Sequence, residues 1–525
     1  MNKRNLAVLF VFAVFVQSMA AFWIRLPGYM DAEYYYGQGV QLFENHSFDE
    51  NFIWNYLNDP SIIPVAGFSF WLPITSILAA LGMFLFGTES FFASRFFFIL
   101  IAAFIPIIAA KIAFAIQGDK RSAILASGLA IFSGLFFPYA TITDTFTPFM
   151  VSGGLFFLLA FKILQISSSN PSKWMIPLGI LVGLMSLIRS EGILWMVGAG
   201  LLILYRIKNQ YSTPSGMLKE TLFLLSGFFI VVFAWYLRNL QIFGSIFPQG
   251  NHLMFWLKGY DDLFVYPNSL LNFKSWLTQG FQQIFLDRIK ALWNNLILFV
   301  TASGFVVLSP LLFTGFWKLR KNSVLKVSIF LFVFTLVVMS FIFPYAGSRG
   351  GFFHSISAFQ ILACCLVPVG LKNLIDWGVK VRKWEVNRAW LMFSFLSICL
   401  AVSISIFSYV TKIRKGIEGT PWNETNQLAL TVEKEIRDLT GNTNGIIMVN
   451  NPPAYSLYTG RQSVMIPSGG TSAIHSVSDR YDVSFLVLNG ERAEIERLMQ
   501  EDKQIIESFE LLMQNGNLKL YEYHP

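Results

Sequence analysis

Long apolar runs separated by short polar ones fill the first four-fifths of this chain. About 20 apolar residues cross a bilayer as a helix. On that measure spans are expected at 6–24, 96–116, 122–140, 145–161, 174–188, 192–205, 221–237, 291–317, 323–345, 352–371 and 389–410, eleven in all. The first run follows Asn2-Lys3-Arg4 and is longer than the apolar stretch of a usual signal peptide, so it is expected to be retained. The run 66–86 is a twelfth candidate, but Pro64, Pro73 and Gly82 suit a re-entrant or interfacial helix better.

Charge placement decides between these two readings. Lys3 and Arg4 put the N-terminus inside. If 66–86 does not cross, Lys120-Arg121, Lys318/Arg320/Lys321 and Lys380/Arg382/Lys383 all fall in cytoplasmic loops; if it crosses, all fall outside. Without the crossing, the short cytoplasmic loops together with the inner ends of their spans hold 19 Lys/Arg and outer segments hold 9, while 12 of the 16 acids in residues 1–410 lie outside. Two outer loops are long, 25–95 and 238–290.

After residue 410 the pattern changes. An amphipathic helix is expected over Trp422–Leu439, strands at Ile446–Val449 and Val464–Ile466, and a helix near 471–480. A strand at Val483–Leu488, a helix over 491–500 and a last strand at Leu518–Tyr523 follow. Strands alternating with helices predict a small α/β domain over 411–525. Eleven spans that start inside put it outside. The expected fold is thus a polytopic α-helical membrane protein, residues 1–410, followed by an extracytoplasmic α/β domain.

Composition agrees: 54% of the 525 residues are hydrophobic and 13% are charged, where soluble chains carry roughly 25% charged residues. The net charge of +8 divides into +12 over residues 1–410 and −4 over 411–525. The basic excess therefore follows the membrane topology, and no nucleic-acid partner is expected. All three cysteines, Cys364, Cys365 and Cys399, sit in apolar runs, so neither a disulfide nor thiol chemistry is expected. Phosphate-loop, zinc-protease and dinucleotide motifs are lacking.

The informative charges gather at the outer ends of spans. Asp31 and Glu33 follow the first span, and Asp144 lies in the short loop Thr141–Thr145. Arg189 and Glu191 separate the fifth and sixth spans, Arg238-Asn239 follows the seventh, and Arg349 and His354 follow the ninth. An ion-coupled transporter would keep such groups at mid-membrane depth. A site at the outer surface suits glycosyl transfer from a polyprenyl-phosphate sugar to an acceptor hydroxyl. That reaction needs a carboxylate base and cations for the departing phosphate. Asp31 is the expected base, with Arg189, Arg238, Arg349 or His354 on the phosphate. Arginines suffice to neutralise a lipid monophosphate, so neither a divalent metal nor another cofactor is expected. Competing expectations are a helix cap for Asp144 and snorkelling anchors for the three arginines. Trp54, Tyr56 and Trp71 are expected as an interfacial aromatic belt, with a sugar-stacking surface as the alternative.

These residues resemble the GT-C glycosyltransferases, the group of protein O-mannosyltransferases (glycosyltransferase family 39), aminoarabinose transferase and oligosaccharyltransferase. The resemblance rests on the acid pair Asp31/Glu33, a proline-flanked helix ending Leu85-Phe86-Gly87, Ser94-Arg95, and the lone Asp144. Arg189-Ser190-Glu191-Gly192, Trp235–Asn239 and Phe243–Pro248 extend it, so that it covers roughly residues 1–372. It implies Asp31 as catalytic base and Asp144 as a second acid at the site. It also implies a polyprenyl-phosphate sugar donor, a glycan, lipid or protein acceptor, and contact with membrane lipids. The protein would lie in a bacterial plasma membrane, N-terminus cytoplasmic. Ala32 separates acids that are adjacent in many relatives, and Ile63–Gly67 lacks the Lys or His some carry there. A translocase of polysaccharide or lipid-linked glycan would need polar groups inside the bundle and shorter outer loops. An O-antigen-ligase-like polymer transferase would depend less on an acid after the first span.

Overall fold

In the computed structural model, residues 3–165, 172–417, 419–491 and 507–524 are described, together with 495, 497 and 499. The helix expected over 491–500 thus lies largely outside the described residues. Among those residues, eight helices are long and apolar enough to cross a membrane: Lys3–Phe22, Phe91–Gln117, Phe146–Gln165, Ser190–Lys208, Pro214–Phe243, Ser323–Ile342, Pro344–Arg382 and Val386–Lys415. Their lipid-side faces leave Phe12, Phe15, Phe229, Phe233, Leu391 and Phe407 exposed. The chain is an integral membrane protein.

Three of the eleven expected spans are shorter or broken. The helix Ser172–Ile188 has 17 residues. Over 122–140 the helix Lys120–Ile131 stops, and a buried 3₁₀ segment Gly134–Tyr139 completes the run. The run 291–317 is divided between Gly280–Ser303 and Ser309–Leu319. Phe305 and Val306 turn between them at φ 47° and 58°. A hydropathy pattern does not register such a turn, because its side chains stay apolar. Lys111 lies within Phe96–Gln117, not at a helix end, with its side chain exposed. Only Ile74–Phe86 is helical in the run 66–86. Its 13 residues rise about 20 Å, short of a hydrocarbon core of about 30 Å, and Gly87 ends the helix in the left-handed region.

At the centre stands Phe352–Arg382, buried along most of its length. It packs against Phe96–Gln117, Lys120–Ile131, Phe146–Gln165 and Ser309–Leu319. Wide π-type turns at Val338–Ile342 and Gly347–Gly351 precede it and set the position of its first residues. The long loop 25–95 carries a helix of its own, Met30–Asn45.

The C-terminal sheet has six strands in the order Phe52–Ile53, Ser463–Met465, Ile446–Val449, Val483–Leu488, Leu518–Tyr523, Phe509–Asn515. The first four are parallel and the last two antiparallel. Helices Gln427–Thr440, Pro452–Thr459 and Thr471–Tyr481 flank it. Its core includes Val432, Ile436, Ile447, Val449, Phe485 and Leu520. One edge strand, Phe52–Ile53, comes from the long loop 25–95 and pairs with Ser463–Val464. The sheet therefore ties that loop to the C-terminal residues.

Candidate active site

Asp31 sits in the first turn of Met30–Asn45, where Asp31 and Glu33 are the acidic residues. A carboxylate there is favoured by the partial positive charge of a helix N-terminus. Before it, Tyr29 is extended, with φ −167°, and Gly28 has φ +89°. A Cβ on Gly28 would stand 2.4 Å from Trp422 Cγ, so glycine is required on both counts. Trp422 is fully buried there against the rings of Tyr29 (5.5 Å) and Tyr139 (5.6 Å).

That packing aims the Tyr29 hydroxyl at Asp144, to which it donates a hydrogen bond. Asp144 is wholly buried; its other oxygen accepts from the backbone N–H and the hydroxyl of Thr145. It does not cap the following helix by reaching two or three residues ahead, the usual geometry. Burial, and after it the charge of Asp31, lift the Asp144 carboxyl to about 7, against the opposing pull of its hydrogen-bond donors.

His354 stands between the two acids. Its Nε2 is 3.7 Å from Asp31 Oδ2 and its Nδ1 is 3.7 Å from Asp144 Oδ1. Nδ1 also meets the Thr145 hydroxyl at 2.9 Å. The ring stacks on Phe146, centroids 3.9 Å apart, which fixes its plane. Behind Thr145, the Arg189 Nη1 donates to its hydroxyl over 3.3 Å, and the same guanidinium pairs with Glu191. Glu191 in turn accepts from Ser355 over 2.7 Å. Gly192 brings this turn against the preceding helix: a Cβ there would lie 2.1 Å from the Met185 carbonyl oxygen.

The two acids differ in access. The Asp31 side chain is 35% exposed and that of Asp144 is not exposed at all. The Trp71 indole N–H donates to Asp31 Oδ1 over 3.3 Å. A carboxylate with that exposure can accept a proton from a bound hydroxyl without disturbing the buried groups behind it. Asp31, Asp144 and His354 each present one ligand atom within 4.8 Å of the others, a set of two oxygens and one nitrogen that can also hold a divalent ion. The fit is partial. One imidazole faces the two acids with different nitrogens, and both Asp144 oxygens already accept hydrogen bonds.

Five of the residues singled out in the sequence therefore meet: Asp31, Asp144, Arg189, Glu191 and His354. Glu33 turns the other way. It is buried, and its oxygens accept from Asn451 Nδ2 (2.9 Å) and the Tyr458 hydroxyl (3.1 Å). Arg238 donates to the Gly67 carbonyl over 2.9 Å and lies 4.7 Å over the Trp235 ring. Asn239 donates to the Ile246 carbonyl over 2.9 Å. Arg349 lies 4.2 Å over the Tyr260 ring. Tyr29, Thr145, Ser355 and Trp422 complete the site, with no charge in the sequence to mark them. Tyr29 and Thr145 adjoin residues already singled out, whereas nothing local marks Trp422, almost four hundred residues from Gly28.

The chain matches no protein-family model and no curated protein sequence. Its fold is that of the GT-C membrane glycosyltransferases. ArnT from Cupriavidus metallidurans bound to undecaprenyl phosphate aligns at TM-score 0.54 and 11% identity, over 99% of this chain and 98% of that one. An Archaeoglobus fulgidus oligosaccharyltransferase in complex with Zn and sulfate aligns at TM-score 0.56 and 12% identity, over 96% and 71%. The mycobacterial arabinofuranosyltransferase AftD aligns at 0.54 and 11%, over 100% and 40%.

Proposed function

We propose that the protein transfers a sugar from a polyprenyl-phosphate donor to an acceptor hydroxyl at the outer face of the membrane, with Asp31 as general base. The observation that carries this reading is the contrast between two neighbouring carboxylates. Asp31 is open to a substrate, and Asp144 is buried behind His354 and held by Tyr29 and Thr145. Asp31 takes the proton of the acceptor hydroxyl as its oxygen bonds to the anomeric carbon. The bond from that carbon to the phosphate oxygen breaks, and polyprenyl phosphate leaves with the electron pair. Of the four groups expected on the phosphate, Arg349 is the candidate: it lies over the Tyr260 ring, on the turn Gly347–Gly351 that leads into the helix of His354. Arg189 serves through Thr145, Glu191 and His354, as a positioning residue. Glu33 orients the helix that carries Asp31, from its far face.

The orientation belongs to the same proposal: N-terminus cytoplasmic, residues 411–525 outside, in a bacterial plasma membrane. The ArnT structure bound to undecaprenyl phosphate supports the donor class by analogy of fold. A second reading keeps the same reaction but adds a divalent ion held by Asp31, Asp144 and His354, which would supply Lewis-acid stabilisation of the leaving phosphate. Purified protein in lipid nanodiscs, offered radiolabelled polyprenyl-phosphate sugars with and without EDTA, tests both. Turnover that survives EDTA supports the metal-free route, and complete loss supports the ion. No release of polyprenyl phosphate from any donor would overturn the transferase reading.

A further inference from the structure

A cavity of about 310 Å³ opens beside the first outer loop, next to the catalytic turn. Clefts that hold small ligands run roughly 300–1,000 Å³. Trp54, Phe70 and Trp71 line one side, their centroids 4.4 to 5.5 Å apart. Both indoles reach the turn that bears the proposed base: Trp54 Nε1 meets Met30 Sδ at 2.9 Å, and Trp71 Nε1 meets Asp31 Oδ1 at 3.3 Å. A ligand lying along these rings therefore leads to Asp31.

The polar lining is uncharged in effect. It holds two acids, Glu50 and Asp59, and neither Lys nor Arg. Glu50 accepts from the Tyr34 hydroxyl (2.6 Å) and the Phe68 N–H (2.8 Å), and Asp59 is paired with Arg480 at 2.6 Å. What remains for a ligand is amide chemistry. Asn55 and Asn58 use their side-chain oxygens to accept from the backbone N–H of Leu57 (3.0 Å) and Gly250 (2.7 Å). Their side-chain nitrogens donate to no protein acceptor among the described residues. Tyr481 donates to the Pro60 carbonyl over 2.5 Å and Tyr56 to that of Met465, so the sheet domain fixes the rim before any ligand arrives.

We infer that this cleft is the acceptor site and that the acceptor is a neutral glycan. One sugar ring packs on the half-buried Phe70 and the free edge of Trp71, backed by the buried Trp54; its hydroxyls accept from Asn55 and Asn58, and the attacking hydroxyl points past Trp71 to Asp31. With no Lys or Arg in its lining, and with Arg480 committed to Asp59 and Arg238 to the Gly67 carbonyl, the cleft does not suit a phosphate, so the donor headgroup enters elsewhere. Apolar C–H faces on aromatic rings, with a few polar groups that set orientation, are how such pockets select a ligand. The inference rests on the transferase reading and is tested apart from it.

The experiment is capture of the full chain, in nanodiscs, on an array of neutral and acidic oligosaccharides, beside a separate polyprenyl-phosphate binding assay. Wild type and Asp31→Asn are expected to retain the same neutral oligosaccharides. Asn55→Asp and Asn58→Asp keep the oxygen that holds the loop but lose the donor; each is expected to lose about tenfold in capture, with polyprenyl-phosphate binding unchanged. Ser61→Trp, at the exposed rim, should block capture without touching the core. No neutral glycan retained by wild type, or retention equal in all variants, overturns the inference. Weakened polyprenyl-phosphate binding in the two Asn variants would assign the cleft to the donor and overturn it too. Glycan capture without turnover on any donor would instead sink the transferase reading and leave the cleft standing.

Discussion

The Tyr458 hydroxyl donates to the Glu33 carboxylate over 3.1 Å, joining the helix of the proposed base to the C-terminal domain. Asn451 adds a second bond to the same buried acid at 2.9 Å. Glu33 thus shares a helix turn with Asp31 but faces the opposite partner. Glu33→Ala takes the shared acceptor from two half-buried donors, a loss of about 1–2 kcal/mol. The expected outcome is earlier proteolytic release of residues 420–525 together with reduced turnover. Glu33→Gln keeps one acceptor oxygen and should fall between. Unchanged protease resistance in Glu33→Ala would show that the domain docks by its other contacts.

Arg189 and Glu191 form a mostly buried pair, their side chains 17% and 4% exposed. Removing only Arg189 strands a buried carboxylate, a type of change that costs about 3–5 kcal/mol. Arg189→Ala should therefore lower the melting temperature more than the double variant Arg189→Ala/Glu191→Ala. Thermal unfolding of the four proteins in a double-mutant cycle reads this directly. Additive effects would mean that the pair is not coupled.

Glu50 gives a pH signature. Burial is the largest influence on its carboxyl and holds it at about 7, against 4.5 for an ordinary glutamate, despite the Tyr34 and Phe68 donors. The folded state then keeps a proton that the unfolded state has released. Stability is expected to fall as pH rises from about 4.5 to about 7 and to level off above, by at most about 3 kcal/mol from this group. Glu50→Gln can accept the same two bonds and should be more stable than wild type above pH 7, with the slope reduced. Equal slopes in both proteins would contradict the assignment.

Orientation is testable with one labelled position. Lys120 is exposed at the start of Lys120–Ile131. A cysteine there, in a Cys399→Ala background because Cys399 is the exposed native thiol, should react only with membrane-permeant reagents. Labelling by an impermeant reagent from outside would invert the proposed topology.

Much of this architecture is legible in the sequence. Hydropathy marks most of the spans because a lipid-facing helix must be apolar along its length. It blurs those where the break carries no charge, as at Phe132–Gly134 and Phe305–Val306. In the C-terminal domain, alternation finds Val483–Leu488 and Leu518–Tyr523. It misses Phe509–Asn515, whose side chains are mostly exposed or half-buried at the sheet edge, and Phe52–Ile53, too short to carry a pattern. At the site, acids and arginines at span ends are visible as charges where charge is costly. Which of them converge is not visible. Glu33 and Asp31 look equivalent as a pair, but a helix turn sends them to different neighbours. The supporting Trp422 packs through contacts that no local spacing encodes.

The central claim is that Asp31 takes the acceptor's proton, and the measurement that tests it most directly is turnover per folded molecule of Asp31→Asn. Asparagine keeps the shape and can still accept from Trp71, but it cannot act as base. Its melting temperature and polyprenyl-phosphate binding should match wild type, because Asp31 is partly exposed. Turnover should fall by roughly 10²–10⁴-fold. Turnover within about twofold of wild type, in a protein equally folded, would contradict the account, since no loss on that scale comes from removing a general base.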